Sequence, residues 1–178
     1  HFATKVLYMP IIGIDAYTSN SPSVVTIGNF DGCHLGHQKL LQKTVEQATI
    51  KNASSVALTF SPRPEAWFRK ISNEPLIFSP QQKTRKLSEY SIESHIVQNF
   101  DEDFSEISHE SFFNDILVRK LKTKALIIGE NFLFGHKRQG NIRFLKSACR
   151  ESAIDLFVIP SAKYDGQPIS STRIRQAI

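Results

Sequence analysis

The sequence SVVTIGNFDGCHLGHQKLLQKTVEQA, residues 23–48, contains three successive patterns. Residues 23–27 are a short apolar run rich in β-branched side chains, which is typical of a strand buried on both faces. Residues 28–37 hold three glycines and predict a turn, and apolar residues then recur on one helical face: Leu40, Leu41, Thr44, Val45 and Ala48. A buried strand that leads through a glycine-rich loop into a helix favours phosphate binding, because the free N–H groups and the helix dipole attract an anion.

Two histidines in this loop, His34 and His37, carry its most reactive side chains. Imidazoles three residues apart at a helix start lie on one side of it, where both can donate hydrogen bonds to a polyphosphate. Gly36 lies between them and allows backbone and ligand to approach closely. One alternative is a zinc site of Cys33, His34 and His37, although four ligands are expected and no partner cluster is seen elsewhere. Another is a pair of ordinary surface histidines. Phosphate binding is the favoured interpretation.

Strands and helices alternate along the rest of the chain. Further strands are predicted at 5–9, 55–60, 95–100, 125–128 and 156–159, and further helices at 79–90, 142–153 and from 170 onward. An apolar stripe between Phe112 and Leu121 predicts one more helix, capped by either Ser105 or Ser108. This alternation predicts an α/β fold with an open, mostly parallel sheet and helices on both faces.

Two further loops follow predicted strands. Residues 129–135 leave the strand at 125–128, a position where α/β proteins bind ligands. Residues 61–64 are predicted to be irregular because of their prolines, and Trp67, Phe68 and Phe78 follow in a proline-stiffened loop. These aromatic residues fit either local packing or a flap over a planar ligand.

Residues 169–175, ISSTRIR, predict the start of a helix. Ser170, Ser171 and Thr172 are residue types that cap helices, and Arg173 and Arg175 place positive charge in the first turn. Alone, this pattern fits an ordinary capped surface helix. Beside the histidine loop it predicts two helix N-termini that grip one triphosphate from opposite sides.

The composition is that of an ordinary globular domain of 178 residues, with 40% hydrophobic and 22% charged residues. Its net charge of +5 suits an anionic ligand, but the basic residues are scattered, which argues against a nucleic-acid partner. No apolar run reaches membrane length, so no membrane partner is expected. Two cysteines form no disulfide framework, which predicts a cytoplasmic protein.

Four motifs, in order, resemble those of the prokaryotic FAD synthetases, which are bifunctional riboflavin kinase/FMN adenylyltransferases. Residues 28–37 resemble the family's GxFDGxHxGH signature, 60–64 its FxPxP segment, 129–135 its GxNFxFG loop and 169–175 its ISSTxIR motif. The resemblance implies a Rossmann-like nucleotidyltransferase fold of the HxGH superfamily. It also implies the reaction of FMN with ATP and Mg²⁺ to give FAD and pyrophosphate, in which the FMN phosphate attacks the α-phosphorus of ATP.

The resemblance also implies the site residues. Those for catalysis would be His34, His37, Asn131, Ser171, Thr172 and Arg175. Those for ATP would be Gly28, Phe30, His34, Gly36, His37, Ser171, Thr172 and Arg175. Those for the flavin would be Phe60, Pro62, Pro64, Phe68, Phe112, Asn131 and Phe134. The metal ligands stay unassigned, and so does Arg63, which stands where the family commonly has histidine.

Residues 1–178 are expected to form a single adenylyltransferase domain, and the family's C-terminal riboflavin kinase module is expected only in a full-length protein. The chain is therefore expected to be a truncation or a stand-alone enzyme that does not phosphorylate riboflavin. Three alternatives are a related HxGH enzyme acting on a pantetheine or nicotinamide nucleotide, a non-catalytic flavin- or nucleotide-binding regulator, and a nucleic-acid-binding module.

Overall fold

The computed structural model describes residues 8–177. Its main sheet has six strands, all parallel, in the order β1-β4-β3-β2-β5-β6. The strands are β1 (Ile11–Ile12), β2 (Ser23–Ile27), β3 (Ser54–Ser61), β4 (Ser94–Asn99), β5 (Thr123–Gly129) and β6 (Asp155–Ile159). A short antiparallel hairpin follows, formed by β7 (Lys163–Tyr164) and β8 (Gln167–Pro168). The predicted open parallel sheet is confirmed.

Helices connect the strands. They are α1 (Leu35–Lys51), α2 (Pro64–Phe68), α3 (Pro80–Glu89), α4 (Glu102–Ser105), α5 (His109–Ser111), a π-helix (Phe112–Lys120) that continues α5, α6 (Ile142–Glu151) and α7 (Ser171–Ala177). Short 3₁₀ turns occur at Ile14–Ala16 and His136–Arg138. Ser79 and Gln82 form a capping box at α3, and the cap of α5 is Ser108 rather than Ser105. Among residues 8–177, no helix is both long and apolar enough to cross a membrane.

The sheet buries both of its faces, as the apolar run at 23–27 predicts. Every residue of β2 is buried. Val25 belongs to the hydrophobic core beneath the π-helix and α6, whereas Val24 belongs to the core beneath α1 and α3. Successive side chains of a strand point to opposite faces, so an uninterrupted apolar strand is what a sheet covered on both sides requires.

The strand order reverses next to β2. From β2 the chain moves to β3 and β4 on one side, and it later returns to β5 and β6 on the other. The loops that follow β2 and β5 therefore leave the sheet at the same edge and diverge from each other. This topological switch point is where open α/β sheets form their binding crevice.

Two local predictions are wrong. In the strand predicted at 5–9, residues 5–7 lie outside the described residues, Tyr8 and Met9 are not in a strand, and β1 is instead Ile11–Ile12. The loop predicted after residue 64 begins with the short helix α2, which carries Trp67 and Phe68. Proline is tolerated at the first position of a helix because its missing N–H would have no partner there, and Pro64 occupies that position.

The buried side chain of His95 connects β3, β4 and α3. His95 on β4 is 1% exposed, with its Nε2 2.8 Å from Thr59 Oγ1 on β3 and its Nδ1 3.0 Å from Thr84 Oγ1 on α3. The Thr84 hydroxyl donates to the carbonyl of Pro80, so it accepts from His95 Nδ1–H, and Thr59 donates to Nε2. Burial, and then the positive charge of Lys83, lower the pKa of His95 to about 4. The ring is therefore neutral at pH 7.

This neutral state predicts a loss of stability in mild acid. The unfolded chain binds a proton at His95 near pH 6.5, whereas the folded chain binds it only near pH 4, so the stabilisation is complete above pH 6.5 and declines as the pH falls. Between pH 7 and pH 5 the decline attributable to His95 is about 2 kcal/mol. Urea unfolding at both pH values should show this difference reduced in His95→Gln. An unchanged pH dependence would contradict the assignment.

Candidate active site

The histidine loop is held in one conformation by its own side chains. His34 caps α1, because its Nδ1 accepts a hydrogen bond from the backbone N–H of His37 at 3.4 Å. The two imidazole rings stack with their centroids 3.6 Å apart. A Cβ at Gly36 would lie 3.2 Å from the His34 ring, so glycine allows the ring to fold back over the helix start. Since Nδ1 of neutral His34 accepts, its hydrogen is on Nε2, which is available as a donor.

His37 is the more deeply buried of the pair. Burial lowers its pKa to about 3, with smaller contributions from His34 and Lys83, while Asp31 acts in the opposite direction. Its Nδ1 is buried and has no hydrogen-bond partner among residues 8–177. At pH 7 this ring is a neutral imidazole, which contributes one N–H donor rather than a charge.

Asp31 joins the histidine loop to α7. Its carboxylate is fully buried and accepts hydrogen bonds from the backbone N–H groups of Ile77 at 3.2 Å and Phe78 at 2.9 Å. Arg175 Nη2 lies 2.5 Å from the same carboxylate, and the Ser171 hydroxyl donates to the Asp31 carbonyl at 2.8 Å. The two motifs that the sequence predicts to act together are therefore in direct contact.

The charge of Asp31 is maintained by these partners. Burial raises the pKa of this carboxyl, but the hydrogen bonds from Arg175, Phe78 and Ile77 outweigh it and hold the pKa below its ordinary value. Asp31 was not among the predicted site residues. The sequence did contain a signal for Asp31, namely a carboxylate within a loop otherwise suited to binding anions. A carboxylate in that position needs a cation or several N–H donors nearby.

A second ion pair extends this cluster. Glu74 pairs with the guanidinium of Arg63, whose Nε lies 2.8 Å from the carboxylate, and it lies 3.9 Å from Arg175 Nη1. The structure thus gives Arg63, which the sequence left unassigned, a carboxylate partner. The zinc alternative finds no support, since no group of three or more His, Cys, Asp or Glu side chains within residues 8–177 is arranged to hold a metal ion.

An aromatic cavity of about 230 Å³ opens beside this polar cluster, at the carboxyl edge of the sheet. Loops after four neighbouring strands contribute to it: Asn29 after β2, Pro64 after β3, Phe100 after β4 and Asn131 after β5. Six of the seven predicted flavin residues line it, namely Phe60, Pro64, Phe68, Phe112, Asn131 and Phe134. The seventh, Pro62, is exposed and is not part of the lining.

Three of the cavity's phenylalanines were not among the predicted site residues: Phe132, which stacks on Phe134, and also Phe100 and Phe104. Phe100 directly follows β4 and Phe104 lies on α4, and their rings pack edge-to-face 5.7 Å apart. Phe60 contacts both, and Phe68 on α2 contacts Phe100. Their position after a strand in the middle of the sheet was the signal that pointed to this edge.

The remaining predicted residues take different positions. Gly28 lines the aromatic cavity, whereas the ring of Phe30 is 1% exposed and lies below Gly28, 5.3 Å from the His37 ring. Thr172 is exposed on the first turn of α7. Ser170 accepts a hydrogen bond from the Arg173 N–H, which makes it the cap of α7.

Gly135 is predicted to be required for the cavity wall. It has φ +76°, and a Cβ there would lie 2.6 Å from the backbone of His109. Gly135→Ala should therefore lower the free energy of unfolding by at least about 2 kcal/mol, from steric overlap and backbone strain together. Gly129→Ala is the matched control, because no atom lies within 4 Å of its added Cβ. Denaturant unfolding of both variants is the measurement, and equal stability would contradict the prediction.

Comparisons with known proteins find relatives along most of this chain. A bifunctional riboflavin kinase/FMN adenylyltransferase of Buchnera aphidicola (strain APS) is 37% identical over 159 residues, covering 89% of this chain and 51% of that protein. The protein of the same name in Escherichia coli K12 is 34% identical over 155 residues, covering 87% and 50%. This chain thus spans about half the length of these relatives.

The fold is also similar to that of a crystallised Streptococcus pneumoniae protein named as a macrolide-efflux protein. The TM-score is 0.81 at 28% identity, covering 97% of this chain and 56% of the other. The sequence model of the FAD synthetase family matches residues 16–173, which include the first three motifs in full and the fourth as far as Arg173. On this match, and on relatives that align with nearly nine-tenths of its length, the chain belongs to the FAD synthetase family.

Proposed function

We propose that this chain transfers the adenylyl group of ATP to FMN, forming FAD and pyrophosphate. One observation supports this most directly: the loop at 28–37 contributes to both halves of the site. Gly28 and Asn29 line the aromatic cavity, and the histidine pair and Asp31 follow within the same loop. A planar ring system and a polyphosphate would thus lie on adjacent parts of one loop.

The cavity suits the isoalloxazine ring of FMN. Its volume of about 230 Å³ is below the roughly 300–1,000 Å³ of pockets that enclose a whole ligand. It therefore takes one ring system and leaves the phosphate outside. Phe60, Phe112 and Phe134 supply apolar ring contacts, and the exposed amide of Asn131 at the rim is positioned to bind the ribityl phosphate.

The polar half suits the reaction. The attacking oxygen of FMN is already anionic, so the protein needs no general base and contributes alignment and charge neutralisation. The His34 Nε2–H and His37 would contact the ATP phosphates at the start of α1, where the helix dipole also favours them. Ser171, Thr172 and Arg175 would bind the β- and γ-phosphates as pyrophosphate leaves.

Mg²⁺ would enter with ATP. Residues 8–177 offer no cage of acidic side chains for it, and both oxygens of the nearby Asp31 carboxylate already accept hydrogen bonds. Mg²⁺ binds mainly through phosphates and water when carboxylates are few. Its ligands here would accordingly be ATP oxygens. A reducing cytoplasm remains the expected compartment, since Cys33 and Cys149 are both free and buried.

The test is to incubate the purified chain with FMN, ATP and Mg²⁺ and to quantify FAD and pyrophosphate by chromatography. Equal amounts of the two products are expected. Nicotinamide mononucleotide and 4′-phosphopantetheine, tried as acceptors in parallel, should give no adenylylated product. Binding of FMN and ATP without any turnover would favour the regulator instead.

A further inference from the structure

A cluster of charged side chains surrounds Asp31. Three cations, Arg63, Lys83 and Arg175, act on one another and on the two carboxylates of Asp31 and Glu74. The cluster is largely buried, since the side chains of Asp31 and Arg175 are 0% and 10% exposed and those of Arg63 and Glu74 are 11% and 20% exposed. A third carboxylate, Glu65, also acts on Arg63, so the cluster needs no excess charge, but the ion pairs within it involve Arg63 and Arg175.

Among residues 8–177, no ion pair is found for Lys83, the third cation of this cluster. Asp31 is paired with Arg175, and Glu74 with Arg63. Within the part of the chain that the structure describes, no side chain or carbonyl accepts a hydrogen bond from the Lys83 ammonium. Burial is the main cause that lowers the pKa of Lys83, opposed by the negative charge of Asp31. Lys83 is partly buried, and a cation that is partly withdrawn from water without a counter-ion is stabilised when an anion arrives.

The position of Lys83 on α3 directs it toward the histidine loop. Ile77 and Phe78, which donate to Asp31, immediately precede the cap of α3 and fix the start of this helix at the site. Leu87, one turn after Lys83 on the same helical face, packs in one core cluster with Phe30 and Cys33 of the loop. Lys83 lies on that face, one turn closer to Asp31. Its charge also contributes to the low pKa of His37, which agrees with an ammonium near that ring.

We propose that Lys83 binds a phosphoryl oxygen of a substrate and thereby adds a cation to the phosphate site formed by the histidine loop and α7. The proposal rests on the proposed function, because the phosphoryl group would belong to ATP or to the phosphate of FMN. A ligand-binding role and a purely structural role for Lys83 predict different effects. If Lys83 binds a ligand, removal of its charge would make the free protein more stable and the protein with bound ligand less stable.

The experiment uses the 178-residue chain with Lys83→Met, Lys83→Arg and the control Lys86→Met. Lys86 lies on the same helix, but it is paired with Glu89 at 3.2 Å on the solvent side. For each protein, the melting temperature is measured alone and with ATP, FMN or inorganic pyrophosphate, and the KM and kcat for FAD formation are determined.

For Lys83→Met we expect an equal or higher melting temperature without ligand, and a dissociation constant raised about 10-fold for the ligand that it contacts. Weaker binding of ATP and pyrophosphate would assign Lys83 to ATP, and weaker binding of FMN alone would assign it to the FMN phosphate. Lys83→Arg should retain most of the affinity, and Lys86→Met all of it.

Affinities within twofold of the wild type for all three ligands, or a lower melting temperature with unchanged affinities, would overturn the proposal. The two proposals can also be separated from each other. A wild-type chain that forms no FAD refutes the proposed function, while ligand-dependent melting still decides the role of Lys83.

Discussion

Replacing His37 by alanine is expected to lower kcat/KM for FAD formation by about 10³-fold, the loss seen when a preorganised donor to a developing charge is removed. The ring is neutral and partly buried, and it stacks on His34, so its N–H group is oriented before substrate arrives. A donor that needs no reorganisation contributes most in the transition state. Initial rates with FMN, ATP and Mg²⁺ measure the effect.

Two variants make this result interpretable. Lys39→Ala changes an exposed residue on the same turn of α1 and should keep the wild-type rate. His37→Asn keeps an N–H donor at a similar place and should recover part of the activity. Thermal melting confirms that each variant folds. A His37→Ala enzyme within tenfold of the wild type would show that this imidazole does not contact the reacting phosphates.

Arg175→Ala is expected to reduce kcat by about 10²-fold or more, while the KM for FMN changes little. The guanidinium would act on the departing β- and γ-phosphates, whose charge increases only as the bond breaks. It touches none of the cavity that would hold the flavin. Steady-state kinetics with each substrate varied in turn separates the two parameters. Equal losses in kcat and in FMN affinity would argue against a role with the leaving group.

The same substitution also affects stability, because it leaves the fully buried carboxylate of Asp31 with only two backbone donors. Breaking a buried ion pair costs about 3–5 kcal/mol. Arg175→Lys keeps the charge and should recover most of the stability but less of the rate, since an ammonium cannot form the bidentate contact of a guanidinium. Arg173→Ala, two positions away on α7, removes contacts only to exposed carbonyls and is the control.

The central strands and α1 could be predicted because their own side chains determine them. All five residues of β2 are buried, and the apolar residues of α1 repeat on one face, so pattern and structure coincide. The two residues of β1 were missed because so short a strand leaves no alternation to detect. The π-helix from Phe112 is a change of hydrogen-bond pattern within an otherwise helical stripe, and residue types do not report it.

The site residues could be predicted where a single short motif contains the side chains that would act on the ligand. The histidines, Ser171 and Arg175 follow from residue types at helix starts and from the family resemblance. The environments of Asp31, Phe100 and Lys83 form only when segments that are distant in the sequence pack together in the folded chain. No local pattern shows that a carboxylate at position 31 will face a guanidinium 144 residues further along the chain.

That contact connects α7 to a framework whose two hydrophobic cores contain none of its residues. The parallel sheet buries its two cores through strands and longer helices, whereas α7 has seven residues, none of them buried, and is joined to the histidine loop through Asp31. If α7 frays, the phosphate site would be lost while the sheet stays folded. Activity should therefore be lost at a lower temperature or denaturant concentration than the one at which the whole chain unfolds.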